Sequence, residues 1–231
     1  MQTEISYEAE EYLEAIYKLQ IKKGVAKTTE LASALNVVPG SVTNTIQHLK
    51  KRGLIKHEPY KGTSLTVKGE KIALNILRRH RLAERLLTDI LNAKWSNVHE
   101  NACKLEHALT KEVIMLLEKK LGYPKFCPHG NPIPSEKGKI EEENFCSLTE
   151  ASIDEACIVT KITDEKREKL LILAAKGVTP GVEVRVVERK PFNIVLYVDG
   201  KKCMLDRYIA SSVYVKNLEN TKYASQKKSV I

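Results

Sequence analysis

His99, Cys103, Glu106 and His107 fall within nine consecutive residues. On a helix turning about 100° per residue they stand at about 0, 40, −20 and 80°, so four potential metal ligands share one face. His80 and Glu84, four residues apart, make a second such pair on the preceding helical stretch. Imidazole, carboxylate and thiolate together suit Fe(II), Mn(II), Co(II), Ni(II) or Zn(II) rather than Ca(II) or Mg(II), and the thiolate tilts the choice from manganese toward iron. Any one of these residues alone reads as packing. Six on two facing surfaces do not, because unpaired polar groups turned toward another helix cost free energy. A metallohydrolase would need a His-Glu-x-x-His run or a general base outside the ligand set, and neither is present, so no enzyme is expected. Cys127 and His129 also invite a metal reading with Cys146, but beside Pro128, Pro132 and Pro134 they read as a structured turn.

The elements that must position these side chains follow from periodicity. Tyr12, Leu13, Ile16, Tyr17 and Leu19 predict a helix over residues 7–22, with acids at its start and lysines at its end. Thr28 or Thr29 can cap a short helix through Leu35, and a third helix runs from about Ser41 to Gly53. This is a helix-turn-helix pattern. Residues 54–58 and 63–67 flank Pro59-Tyr60-Lys61-Gly62 as two strands of a wing. A strongly apolar helix is predicted from Lys68 to about Leu91, buried in part against a second subunit, and another from about Val98 to Leu121. Residues 126–144, rich in Pro, Gly and Glu, read as a linker. Beyond it, residues 182–187, 194–198 and 202–205 read as strands of a small barrel-like domain, with Asp199-Gly200 a hairpin turn.

Composition narrows the function. The chain has 231 residues, a net charge of +9, 42% hydrophobic and 29% charged residues, and no apolar run approaching a bilayer span. The start lacks a secretory pattern, so a cytoplasmic chain without a membrane partner is expected. Its five cysteines are scattered without a Cys-x-x-Cys pair, which argues for free thiols. From Ser41 to Lys71 seven Lys or Arg stand against two Glu. Basic excess on a helix-and-wing pattern points to nucleic acid. A metal-storage protein would not need that segment, and a constitutive DNA-binding protein would not need the ligand face.

The runs His80-Arg81-Leu82-Ala83-Glu84-Arg85-Leu86-Leu87-Thr88-Asp89-Ile90, His99-Glu100-Asn101-Ala102-Cys103-Lys104-Leu105-Glu106-His107 and Cys127-Pro128-His129-Gly130-Asn131-Pro132-Ile133-Pro134 resemble the diphtheria toxin repressor family of metal-dependent regulators. The resemblance spans essentially the whole chain. It implies a mainly α fold with small β content: a winged helix-turn-helix over residues 1–74, a helical metal-binding and dimerisation domain over 75–145, an SH3-like domain over 146–220 and a flexible tail over 221–231. It implies a primary site of Glu11, Cys103, Glu106 and His107 and an ancillary site of His80, Glu84 and His99. Cys103 places the chain nearer the iron-dependent branch. Glu11, where that branch carries Met and the manganese branch Asp, leaves iron and manganese both open, with Zn(II), Co(II) or Ni(II) able to substitute in vitro. Relatives draw further ancillary ligands from the SH3-like domain; here Glu165 and Glu168 stand among lysines, and neither is assigned. The implied partner is double-stranded palindromic operator DNA bound by a homodimer, one or two dimers per operator, controlling metal-uptake genes. Ser41, Thr43 and Asn44 are the candidate base-reading residues, and Lys50, Lys51, Arg52, Lys61 and Thr63 the candidate phosphate contacts.

Overall fold

The computed structural model describes residues 5–140 and 145–218; the expected tail over 221–231 lies outside them. The chain divides into two compact units. The first comprises Met1–His80, Glu106–Thr110 and Pro134–Ile140, and the second Arg81–Leu105, Lys111–Ile133 and Glu141–Ile231.

In the first unit α1 (Tyr7–Lys23) is capped by Ser6, whose side chain accepts from the backbone N–H of Ala9. Glu8 and Glu10 in its first turn and Lys22 and Lys23 in its last complement the helix dipole. The next helix, α2 (Thr28–Leu35), starts earlier than its threonines suggest. Lys27 is the N-cap residue, and the Glu30 carboxylate accepts from its backbone N–H at 3.2 Å. Pro39 opens α3 (Pro39–Lys51), where its missing N–H costs nothing. Strands β1 (Ile55–Glu58) and β2 (Gly62–Leu65) pair antiparallel as the wing. The core is built from Leu13, Ile16, Leu31, Val42, Ile46, Leu49, Leu54 and Ile76, all 2% exposed or less. Residues 134–140 return to this unit, where Arg78 donates to the Pro134 carbonyl at 2.9 Å.

The long helix expected from Lys68 is α4 (Val67–Arg85), followed by a single π-turn over Leu86–Ile90. The single helix expected over 98–121 is two, α5 (His99–Glu106) and α6 (Lys111–Lys120). The break falls at residues 107–110, where neither Gly nor Pro signals it, and Thr110 stands just before the second helix.

In the second unit β3 (Cys146–Ser147), β4 (Ala156–Ile162), β5 (Glu183–Arg189), β6 (Asn193–Val198), β7 (Lys201–Asp206) and β8 (Val213–Asn217) form an antiparallel SH3-like sheet in the order β3-β8-β4-β5-β6-β7. Register shifts at Val159/Lys161 and Val186/Glu188 curve it. The turn between β6 and β7 is Asp199-Gly200, both at positive φ, as a tight hairpin requires. Helix α7 (Arg167–Ala175) buries Leu170 and Leu173 in the sheet's core with Leu148, Val159 and Ile162, and α8 (Arg207–Ala210) follows β7.

Gly130 sits at φ +80°, and a Cβ there would stand 1.9 Å from the Thr160 carbonyl oxygen of β4. Gly130→Ala should therefore destabilise the chain by about 2–4 kcal/mol, from backbone strain plus overpacking. Chemical denaturation of the metal-free protein checks this; an unchanged midpoint would contradict the close approach.

Candidate metal centre and DNA-reading face

In the first unit α1 presents Glu10, Glu11 and Glu14 within two turns. His107, just beyond the end of α5, lies between two of them: its Nδ1 is 2.7 Å from Glu10 Oε2 and its Nε2 2.8 Å from Glu11 Oε1. Glu106 Oε1 lies 3.5 Å from the same Nε2. Ligand atoms of Glu11, Glu106 and His107 thus converge within 4.8 Å. Behind them Glu106 is fully buried, and His80 Nδ1 lies 2.6 Å from its Oε2 in a hydrogen bond. Glu14, 4% exposed, completes a second converging set with His80 and Glu106. The two sets share Glu106.

Electrostatics follow from that crowding. Burial pushes the Glu106 carboxyl above the usual carboxylate range and the neighbouring Glu14 pushes it further, against the pull of His80. Burial alone would lower His107, but hydrogen bonds to Glu11 and Glu10 and the charge of Glu106 raise it.

Glu84, His99 and Cys103, all expected ligands, belong to the second unit. Glu84 is completely buried; its Oε1 lies 3.1 Å from His129 Nδ1 and 3.6 Å from His99 Nδ1. Glu165, two residues before α7, lies 3.0 Å from His99 Nδ1 through Oε2, while its Oε1 accepts from Asn131 Nδ2 at 2.7 Å. Cys103 Sγ is 3.9 Å from His99 Nε2. Ligand atoms of Glu84, Cys127, His129 and Glu165 converge within 4.8 Å. Cys127 and His129, read from the sequence as a turn, thus stand with Glu84 and Glu165 as candidate ligands. Their missing partner, Glu165, is remote in sequence. Glu14 was missed too, although it lies three residues beyond Glu11 on the same helix face.

Burial and the charges of Glu84 and Glu165 drive the Cys127 thiol well above its usual range. Burial would lower His129 and His99, but Glu84 and Glu165 lift the former, and Cys103, Glu165 and Glu84 lift the latter to about 11. Oxygen, nitrogen and sulphur donors around buried carboxylates match the chemistry of a transition-metal ion.

On the DNA side, Ser41, Thr43 and Asn44 are exposed on α3, as are Gln47 and His48 one turn beyond Asn44. Thr43 Oγ1 back-bonds to the Pro39 carbonyl at 3.2 Å. Lys50 and Lys51 are exposed and Arg52 half-buried; Lys50 Nζ donates to the His57 carbonyl at 3.2 Å. Lys61 is exposed in the wing, 2.7 Å from Glu58. Thr63, expected on phosphate, is instead 0% exposed. Its backbone N–H donates to Ala26 and its Oγ1 meets His57 Nδ1 at 2.9 Å, so its polar groups are spent inside the fold.

The His99 pKa has a measurable consequence. A histidine that folding holds protonated stabilises the chain in full below its ordinary pKa of 6.5 and loses that contribution as pH climbs toward about 11. The thermal midpoint of the metal-free protein should accordingly fall from pH 6.5 to 9, and His99→Gln should flatten that slope. An equally steep slope in the variant would remove His99 as its source. Metal binding runs the other way, displacing protons and tightening as pH rises.

The chain matches the family model for the iron-dependent repressor N-terminal DNA-binding domain over residues 4–63, that for the iron-dependent repressor metal-binding and dimerisation domain over 66–135, and the FeoA domain over 146–217. It is 30% identical over 221 residues to the diphtheria toxin repressor of Corynebacterium glutamicum, covering 91% of this chain and 96% of that one. The crystal structure of T. acidophilum IdeR superposes with a TM-score of 0.79 at 30% identity, covering 94% of this chain and all of the other. A manganese-dependent transcriptional repressor complexed with manganese gives 0.82 at 29% identity, over 91% of this chain and all of the other. Among the described residues no helix is long and apolar enough to cross a membrane. With a helix-turn-helix, a wing and buried sets of metal-ligating side chains in one chain, these matches place it in the iron-dependent repressor family, that of the diphtheria toxin repressors, as a metal-dependent, DNA-binding transcriptional repressor.

Proposed function

We propose that this repressor is activated by Fe(II) and, as a homodimer, grips a palindromic operator controlling metal-uptake genes. The convergence of Glu11, Glu106 and His107 carries the reading, because it joins the first helix of the winged helix to the ligand-bearing end of α5. Glu14 and His80 extend this primary set through Glu106, while Glu84, His99, Cys127, His129 and Glu165 supply a second centre, with Cys103 beside His99. A divalent ion bound at the primary set would neutralise its carboxylates. Glu11 and His107 would then hold α1, and with it the recognition helix, in the arrangement that reads DNA. Residues 1–74 serve DNA, 75–145 metal and dimerisation, and 146–220 the SH3-like support. Val113, Met115 and Leu116, exposed along α6, and exposed Leu91 offer the apolar surface a two-fold contact needs.

On the operator, the two recognition helices would enter successive major grooves about 34 Å apart. Asn44, with Ser41 and Thr43, would address base edges, joined by Gln47 one turn on; Lys50, Lys51, Arg52 and Lys61 would neutralise phosphate. Manganese is the second reading. The primary set holds only oxygen and nitrogen donors, which suit Mn(II), whereas the thiols of Cys103 and Cys127 favour iron.

Anaerobic titration of Fe(II), with Mn(II) and Zn(II) in parallel, into metal-free protein with fluorescent promoter DNA tests the proposal. Anisotropy should rise with metal and fall on chelation, the order of potency separating iron from manganese. DNA binding indifferent to every metal would overturn it. Glu106→Ala should abolish activation and His99→Ala weaken it. Lys61→Ala should lower the salt dependence of binding by about one unit of slope while leaving operator preference intact, and Asn44→Ala should relax that preference at one position. A full metal response in Glu106→Ala would remove the site.

A further inference from the structure

We propose that Glu10, itself held by Arg79, is a positioning residue that presents the Nε2 atom of His107 to the primary metal ion; the proposal rests on the reading of His107 as a ligand. Glu10 is not among the converging ligand atoms of the primary set. Its Oε2 lies 2.7 Å from His107 Nδ1, and its other oxygen, Oε1, accepts from Arg79 Nη2 at 2.7 Å. Glu10 and Arg79 are each 14% exposed and His107 11%, so water competes weakly for these bonds.

An imidazole has one nitrogen to donate and one to coordinate. A carboxylate at Nδ1 draws the ring proton there and leaves the lone pair on Nε2. That atom faces Glu11 at 2.8 Å and Glu106 at 3.5 Å, the other two members of the set. Tyr7 packs against the ring with centroids 5.1 Å apart and limits its rotation. Arg79, on α4, has a separate task. By occupying Oε1 it keeps Glu10 turned toward Nδ1, so that this third carboxylate of α1 serves the ligand rather than competing for the ion. Partners of this kind behind a metal-bound histidine are worth about 10- to 100-fold in metal affinity.

The test uses full-length protein and Co(II), whose visible absorption reports the geometry of the site. Glu10→Ala should weaken Co(II) binding at the primary set by about 10- to 100-fold and alter its visible bands. Glu10→Gln, which keeps an acceptor but no charge, should fall between, and Arg79→Lys should restore most of the affinity that Arg79→Met loses. Metal-free thermal midpoints of Glu10→Gln and Arg79→Lys should stay near the parent value, separating positioning from folding. Unchanged Co(II) affinity and spectrum in both Glu10 variants, with His107→Ala removing the site, would overturn the positioning role alone. An unaltered Co(II) titration in His107→Ala would overturn the ligand assignment and the positioning role with it.

Discussion

A carboxylate with no exposed surface organises the first unit. Glu106 is sealed inside, where an uncompensated charge would cost several kcal/mol, and it is tolerated because His80 hydrogen-bonds it at 2.6 Å and His107 stands 3.5 Å away. Those histidines arrive from α4 and from the residue after α5, and α1 answers them with Glu10, Glu11 and Glu14. The DNA-reading elements lean on the opposite side of the same helix: Ile16 and Leu13 pack with Leu31, Val42 and Ile46 of the helix-turn-helix, and Glu8 accepts from Thr45 of α3 at 3.1 Å. One helix therefore carries the carboxylates of the cluster on one face and packs against the helix-turn-helix on another.

The second unit repeats the theme with different chemistry. Glu84 is buried among His129, His99 and Glu165, and the thiol of Cys127 is kept protonated by burial beside the same carboxylates. Here the turn around Pro128 and Gly130 is held by β4, since Ile162 N–H donates to the His129 carbonyl at 2.8 Å and Asn131 Nδ2 donates to the Ile162 carbonyl. The SH3-like sheet thus fixes two of the four side chains that converge there.

Periodicity made most of the first unit legible. The amphipathic run from Tyr12 to Leu19, the two short helices and the wing were readable because local patterning and burial agree there. The ligand residues could be named because imidazole, carboxylate and thiolate recur on one helical face. Glu11, Glu106 and His107 fall together as grouped, whereas the place of Cys103 and the neighbours of Glu84 could not be read, for two physical reasons. A helix drawn unbroken through residues 98–121 keeps His107 in line with Cys103, whereas the chain leaves the helix after Glu106 and turns His107 onto α1. A second site assembled from Glu84, Cys127 and Glu165 depends on tertiary folding that no local spacing encodes. Thr63 shows the converse: a polar residue on a wing reads as a DNA contact until its hydrogen bonds to Ala26 and His57 are seen. Strands β4 and β8 went unread because each mixes polar residues with its buried ones, as Thr160 and Lys161 do in β4, and so gives no clean alternation.

If α1 transmits the state of the cluster to DNA, linkage makes the effect reciprocal: whatever factor metal adds to operator affinity, operator must add to metal affinity. A shift from 1:99 to 99:1 in the DNA-competent population needs about 5.5 kcal/mol of differential metal binding. The direct measurement is therefore the affinity of the protein for its activating ion, by competition with a chromophoric chelator, with and without saturating operator DNA at fixed pH and salt. Tighter binding in the presence of operator, by the same factor that the ion tightens DNA binding, is the predicted result. Equal metal affinity in the two conditions would contradict it and leave the buried cluster a structural feature of the fold.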